Sequence, residues 1–250
     1  MIFVLNFKTY LKKEKDYLNL IKKIEKIKGE FWLAFNPYFY LSLIKKIKRR
    51  KFKIGLQNLG PISEKPQTGE IIYDFELINS ANFILLGHSE RYRLGENKEI
   101  IKEKIKTLQD KNLKLLIFFS ENSYQPKKRF SQVKKETEKH LKEFLSVVSK
   151  KNYKKIIFVY EPWWAISTEG GNFPSQEFLK EFLVWYRKNF NFPIFYGGSY
   201  NSNLAKIYQG IEFQGYVLGK ASINIEELKT LTGVGDRIRT GNLRLHRPPL

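Results

Sequence analysis

Eight short apolar runs recur along the 250-residue chain, and each is followed at once by a polar or glycine residue. The runs are Ile2–Leu5, Phe31–Phe35, Phe52–Leu56, Phe83–Leu86, Leu113–Phe119, Ile156–Tyr160, Pro193–Phe195 and Tyr216–Leu218. Their followers are Asn6, Asn36, Gln57, Gly87-His88, Ser120, Glu161, Tyr196-Gly197-Gly198-Ser199 and Gly219. Short continuous apolar runs suit strands covered on both faces, and strands alternating with helices suit a parallel sheet. Eight such units in one chain predict the α/β class: an eight-stranded parallel (β/α)8 barrel in a single domain. Barrels of this kind carry their chemistry at the C-terminal ends of the strands, so the followers become the first candidates for a site.

Lysine-rich stretches with helical spacing separate the runs. Tyr17, Leu20, Ile21, Ile24 and Ile27 form one apolar stripe, and Ile100, Ile101, Ile105 and Leu108 another, with Asn97 placed to cap. Val133, Leu141, Phe144, Leu145 and Val148 form the stripe of a helix expected over Phe130–Lys150. Ser175 caps a further helix that buries Phe178, Leu179, Phe182 and Leu183. No Gly/Ser-rich or Pro-rich linker interrupts the series. Residues 1–232 are therefore read as the barrel domain. Residues 233–250, with no periodicity after Leu231 and an Arg-rich, Pro-ending sequence, are read as a poorly ordered basic extension.

The charge is strongly basic: 45 Lys and Arg against 25 Asp and Glu, a net +20. Such a balance can signal a polyanionic partner. Here the lysines are distributed over nearly every helical segment, which reads as solvated outer faces, so no nucleic-acid partner is expected. The chain has no cysteine, which excludes disulfides and thiolate metal sites. The apolar run before Asn6, Ile2–Leu5, is four residues long, too short for a signal-peptide core, and no run reaches spanning length. A cytoplasmic protein without a membrane partner is the expectation.

Of three histidines, only His88 follows a strand. Glu161, at the mouth of the sixth strand, is a candidate general base, since low polarity raises a carboxyl pKa toward working pH. The segment Pro162–Gly171 holds two Trp, Ala and Ile before Gly170-Gly171 and suits a lid that excludes water. Gly197-Gly198-Ser199 and Gly219-Lys220-Ala221-Ser222 offer backbone N–H groups to an anion after the seventh and eighth strands, where barrels commonly bind phosphate. Lys8, two residues beyond Asn6, adds a cation at the same end.

Together these residues resemble the triosephosphate isomerase family over about residues 2–231. The resemblance is carried by Asn6-Phe7-Lys8, Gln57-Asn58, Gly87-His88-Ser89-Glu90-Arg91, Tyr160-Glu161-Pro162 with Trp164-Ala165-Ile166, Tyr196-Gly197-Gly198-Ser199, and Gly219 with Ala221-Ser222. It implies an aldose–ketose isomerase of glycolysis and gluconeogenesis that interconverts dihydroxyacetone phosphate and D-glyceraldehyde 3-phosphate through an enediolate. It assigns Glu161 as base, His88 as an uncharged electrophile, and Lys8 and Asn6 as stabilisers of the intermediate. It assigns Ser167, Ser199, Gly219 and Lys220 to the phosphate, with Glu90 as a supporting carboxylate. The family is itself a standard illustration of tuned acid–base groups, and these roles come from it. No metal or organic cofactor is implied, and the partner beyond the triose phosphate is a second copy in a homodimer, joined through the loop Gly60–Gly69.

Several positions depart from the family's usual pattern. Ser167 and Glu169 stand in the lid where glycines are usual, Lys220 replaces a second glycine, Tyr92 an arginine, and Phe118 a buried cysteine. Two other readings stay open on the residues alone: a basic barrel that binds polyanions, and a barrel acting on a different sugar phosphate.

Overall fold

The computed structural model describes residues 1–47, 51–60, 68, 75–121, 130–165 and 173–241, excepting the side chains of residues 75 and 234–241. Strands β1 (Ile2–Asn6), β2 (Glu30–Phe35), β3 (Lys53–Leu56), β4 (Phe83–Leu86), β5 (Lys114–Phe119), β6 (Ile156–Tyr160), β7 (Ile194–Tyr196) and β8 (Gly215–Leu218) pair in sequence order. Every pairing is parallel, and β8 closes on β1 through Ile2↔Gly215 and its successors. The expected (β/α)8 barrel is therefore the observed one, with strand ends within a residue of the apolar runs.

Helices cover the outside: α1 (Glu14–Ile24), α2 (Pro37–Ile44), α3 (Phe75–Ser80), α4 (Ser89–Arg93), α5 (Lys98–Leu108), α6 (Phe130–Leu145), α7 (Gln176–Asn189), α8 (Ser202–Ile207) and α9 (Ile225–Gly241). Asn97 and Ser175 do cap α5 and α7, accepting the N–H of Ile100 at 3.0 Å and of Phe178 at 3.1 Å. Helix α6 stops at Leu145 instead of Lys150, and residues Lys150–Lys155 form a 3₁₀ turn that leads into β6. Helix α9 crosses the expected boundary at 232 and runs to Gly241; the rest of the extension, 242–250, lies outside the described residues. Among the described residues no helix is long and apolar enough to cross a membrane.

Strand residues alternate between two cores. One set points outward under the helices, among them Leu5, Leu33, Ile84, Ile117 and Phe158. The other fills the barrel lumen: Val4, Trp32, Ala34, Phe83, Leu85, Leu116, Phe118, Ile157, Val159, Phe195 and Val217. Large rings fit a lumen this narrow where the residue paired with them on the neighbouring strand gives up its side chain, as Gly55 does for Phe83 and Gly215 for Phe195. A Cβ on Gly55 would lie 2.7 Å from the Phe83 ring, and one on Gly215 2.7 Å from the Phe195 ring. Trp32 packs between those rings, at centroid distances of 5.3 and 5.9 Å. Each fully buried ring contributes about 1.5–3 kcal/mol relative to exposure, so the packed lumen makes a stiff floor for the strand mouths above it.

Candidate active site

The site is built from the first residues past five strands. After β1, Lys8 adopts φ +45°, an uncommon conformation for a residue with a Cβ. Neighbours hold it there. Its N–H donates to Asn6 Oδ1 at 3.3 Å, and its carbonyl accepts from Gln57 Nε2 at 3.2 Å. The result aims the Lys8 ammonium across the mouth to Glu90 Oε1, 2.6 Å away. Burial pushes the Glu90 carboxyl up, but the Lys8 hydrogen bond and the nearby cations outweigh it and hold Glu90 below the usual carboxylate range.

After β4, Gly87 turns the chain at φ +75° and His88 becomes the N-cap of α4. Its Nδ1 accepts the N–H of Glu90 at 3.2 Å. A nitrogen that accepts carries no proton, so the ring proton sits on Nε2. That Nε2 lies 3.4 Å from Glu161 Oε1, across the mouth from β6. The other Glu161 oxygen accepts the N–H of Ser89 at 2.8 Å. Glu161 is only 2% exposed. Burial drives its pKa above the ordinary value of 4.5, and the opposing pull of His88, Ser89 and Lys8 does not cancel it.

Beside this group opens a cavity of about 840 Å³ whose lining includes Asn6, Lys8, His88 and Glu161. Its far wall holds Gly197, Gly198 and Ser199 after β7, and Gly219 and Lys220 after β8. A Cβ on Gly219 would meet Lys8 Cε at 3.4 Å, an ordinary van der Waals contact, which places the eighth mouth against the lysine stem. Ser222 Oγ, donating to the Asn6 carbonyl at 3.3 Å, ties the eighth mouth to the first. Asn6, Lys8, His88, Glu90, Glu161, Ser199, Gly219 and Lys220 are thus brought around one cavity. Ser167 and Glu169 lie outside the described residues, as does most of the loop Gly60–Gly69.

Residues 1–234 match the family described as triosephosphate isomerase. The chain belongs to that family. Among curated proteins it is similar to the triosephosphate isomerase of Helicobacter pylori (strain Shi470), 34% identical over 187 residues that cover 72% of this chain and 76% of the relative. The one from Ruthia magnifica subsp. Calyptogena magnifica is 29% identical over 209 residues, 80% of this chain and 84% of the relative. The one from Mycoplasmoides gallisepticum is 26% identical over 237 residues, 88% and 92% of the two chains.

Within this triosephosphate isomerase barrel, sequence reasoning passed over two buried polar centres. Glu121, one residue past the last strand follower considered, is 1% exposed. It accepts from Tyr160 Oη at 3.1 Å and from the Trp164 indole N–H, while Ser120 Oγ accepts the N–H of Trp163 at 3.2 Å. These bonds fix the 3₁₀ turn Trp163–Ala165, where the expected lid begins, to the end of β5. The signal was present: a carboxylate next to Ser120 at a strand mouth. The second centre is Lys104, wholly buried on α5 although lysines were read as surface residues. Its Nζ meets Glu96 Oε1 at 2.6 Å and Asn58 Oδ1 at 3.2 Å, and Glu96 also accepts from Arg91 Nε at 2.8 Å. Arg91 leaves α4 just after His88, so this network braces the helix that presents the imidazole.

Proposed function

We propose that this chain interconverts dihydroxyacetone phosphate and D-glyceraldehyde 3-phosphate by moving a proton between adjacent carbons, and that Glu161 carries the proton. The observation that carries the reading is the Glu161–His88 juxtaposition of 3.4 Å, beside Lys8, at the floor of one cavity. Both Glu161 oxygens face protein donors, Ser89 N–H and His88 Nε2. Accepting a proton from carbon requires the carboxylate to leave at least one of them. A carboxylate that burial makes more basic is better matched to a weak carbon acid. His88 then turns its Nε2–H to the substrate oxygens, polarising the carbonyl as the adjacent C–H bond breaks. Negative charge develops on those oxygens in the enediolate, and the Lys8 ammonium, held by Glu90, stabilises it with Asn6. The proton returns from Glu161 to the neighbouring carbon, and the hydroxyl proton passes between the two enediolate oxygens by way of His88 Nε2, so that carbonyl and hydroxyl exchange places.

Backbone N–H groups of Ser199 and of Gly219-Lys220, with Ser167 in the segment that follows Ala165, receive the phosphate. Covering the site excludes the water that would otherwise compete for the enediolate. The protein works in the cytoplasm, in glycolysis and gluconeogenesis, as a homodimer. Tyr10 and Tyr38, 40% and 84% exposed beside the neighbouring mouths of β1 and β2, give a second copy an aromatic surface to cover.

A coupled isomerase assay tests the central role. Glu161→Asp draws the carboxylate back by about 1 Å, which costs on the order of 100-fold in turnover while KM changes little. Turnover at the parental rate would remove Glu161 from the role of base.

A further inference from the structure

Among the described residues, Phe118 is the one lumen ring that packs against His88. It sits next to last on β5, paired in register with Val159 of β6, and is 1% exposed. Strand alternation turns it inward, into the uppermost part of the lumen, where Trp32, Phe83 and Phe195 fill the space below. Its centroid lies 5.1 Å from that of His88, with the ring planes tilted by 54°. On its other side is Gly197. A Cβ placed there would lie 3.2 Å from Phe118 Cε1 and 3.3 Å from the Cβ of Glu161. One phenyl edge, one missing side chain and the root of the base thus share a single small space.

We propose that Phe118 is a positioning residue for the isomerisation: its ring sets the spacing between the His88 imidazole and the Glu161 carboxylate from below. The proposal rests on the reading of Glu161 as base and His88 as electrophile. The His88 ring is tied at Nδ1 to the Glu90 N–H, and Glu161 at Oε2 to the Ser89 N–H. Each bond ties a single atom, which by itself does not bar the imidazole from swinging about that atom toward the lumen. The phenyl ring does. It is rigid, has two side-chain torsions, and is itself locked between Val159 and the bare backbone of Gly197. A ring there also denies water a route to the carboxylate from the lumen side, in keeping with the direction of the Glu161 pKa. Gly197 belongs to the same device, since any side chain at that position would collide first with Val159, 2.7 Å away.

The test compares three full-length variants in the coupled assay over a pH series, with thermal unfolding alongside. Phe118→Leu removes the plane of the ring. Phe118→Met keeps nearly the same volume but replaces a rigid group by a flexible one, so it supplies a folded sample if the Leu variant is not recovered. Phe83→Leu makes the first change deeper in the lumen, away from the site. We expect both Phe118 variants to lose about tenfold in kcat with KM within about twofold, as for a misplaced catalytic pair, and their acid limb to move to lower pH. Phe83→Leu is expected to lower the melting temperature as Phe118→Leu does and to leave kcat within about twofold. Parental kcat in Phe118→Met, or equal losses of kcat in Phe83→Leu and Phe118→Leu, would overturn the proposal and leave Phe118 as packing. Glu161→Gln, run in the same assay, separates the two levels: full turnover there overturns the base assignment, whatever the Phe118 variants do.

Discussion

Glu96 and Glu161 are buried to nearly the same degree, 7% and 2% exposed, yet their carboxyl groups are driven in opposite directions. Burial raises both. At Glu96 the hydrogen bond and charge of Lys104, joined by Arg91, more than reverse that effect and hold the group below the usual range. Glu161 faces an imidazole and one backbone N–H, with Lys8 committed to Glu90, and burial prevails. The lesson is that depth alone does not make a carboxylate reactive. What decides is whether a full cation has been sealed in with it. The first arrangement builds a brace, and the second suits the base proposed above.

Removing the sealed cation is the strongest way to break this contrast. Lys104→Met leaves Glu96 buried with a half-exposed Arg91 as its remaining cation, and we expect a loss of about 3–5 kcal/mol in urea unfolding. Adding Glu96→Gln recovers part of that loss, because the orphaned charge goes with it. An unchanged midpoint for Lys104→Met would mean the two carboxylates are not different in kind.

Glu161→Gln probes the other side. A carboxyl whose folded pKa is raised makes ionisation unfavourable to folding once the pH exceeds its ordinary value. The amide variant is therefore expected to melt a few degrees above the parent at pH 8. The gain should vanish as the pH falls past 4.5, the ordinary carboxylate value, where the parent's carboxyl is protonated in both states. A lower melting temperature at pH 8 would show that the Ser89 and His88 bonds outweigh the burial of charge.

The mildest effect concerns rate against pH. In the proposed mechanism Glu161 is ionised when it accepts a proton, so its raised pKa is expected to place the acid limb of kcat/KM above 4.5, with activity lost as the pH falls through it. For Glu96 the sign is reversed: the stability it contributes is present above the ordinary carboxylate value and is lost as the pH drops through its lowered folded value. Acid should thus silence the enzyme before it loosens the brace. Coincident pH midpoints for activity and unfolding would contradict that order.

Much of this was legible in the chain. Continuous apolar runs marked β4 and β6 to the residue, and the stripe Tyr17, Leu20, Ile21, Ile24 marked the buried face of α1. Lys104 was not, although it occupies the i+3 place between Ile101 and Leu108 on the inner face of α5, a position spacing alone would have flagged. His140, flanked by lysines in sequence, is likewise buried, and burial holds its pKa below the ordinary histidine value. Composition averages over a helix, whereas burial belongs to one face of it.

The sequence by itself determined eight strands, their helical spacers, and the polar residues at each mouth, because hydrophobic periodicity and turn chemistry are local properties of the backbone. It also placed His88 just past one strand and Glu161 just past another. Only the closed barrel decided that these two face each other, that Lys8 reaches Glu90, that Glu121 receives Trp164, and that Phe118 lies beneath the imidazole. Those relations join different strands, and the dielectric and charge that set each group's chemistry come from neighbours supplied by the fold.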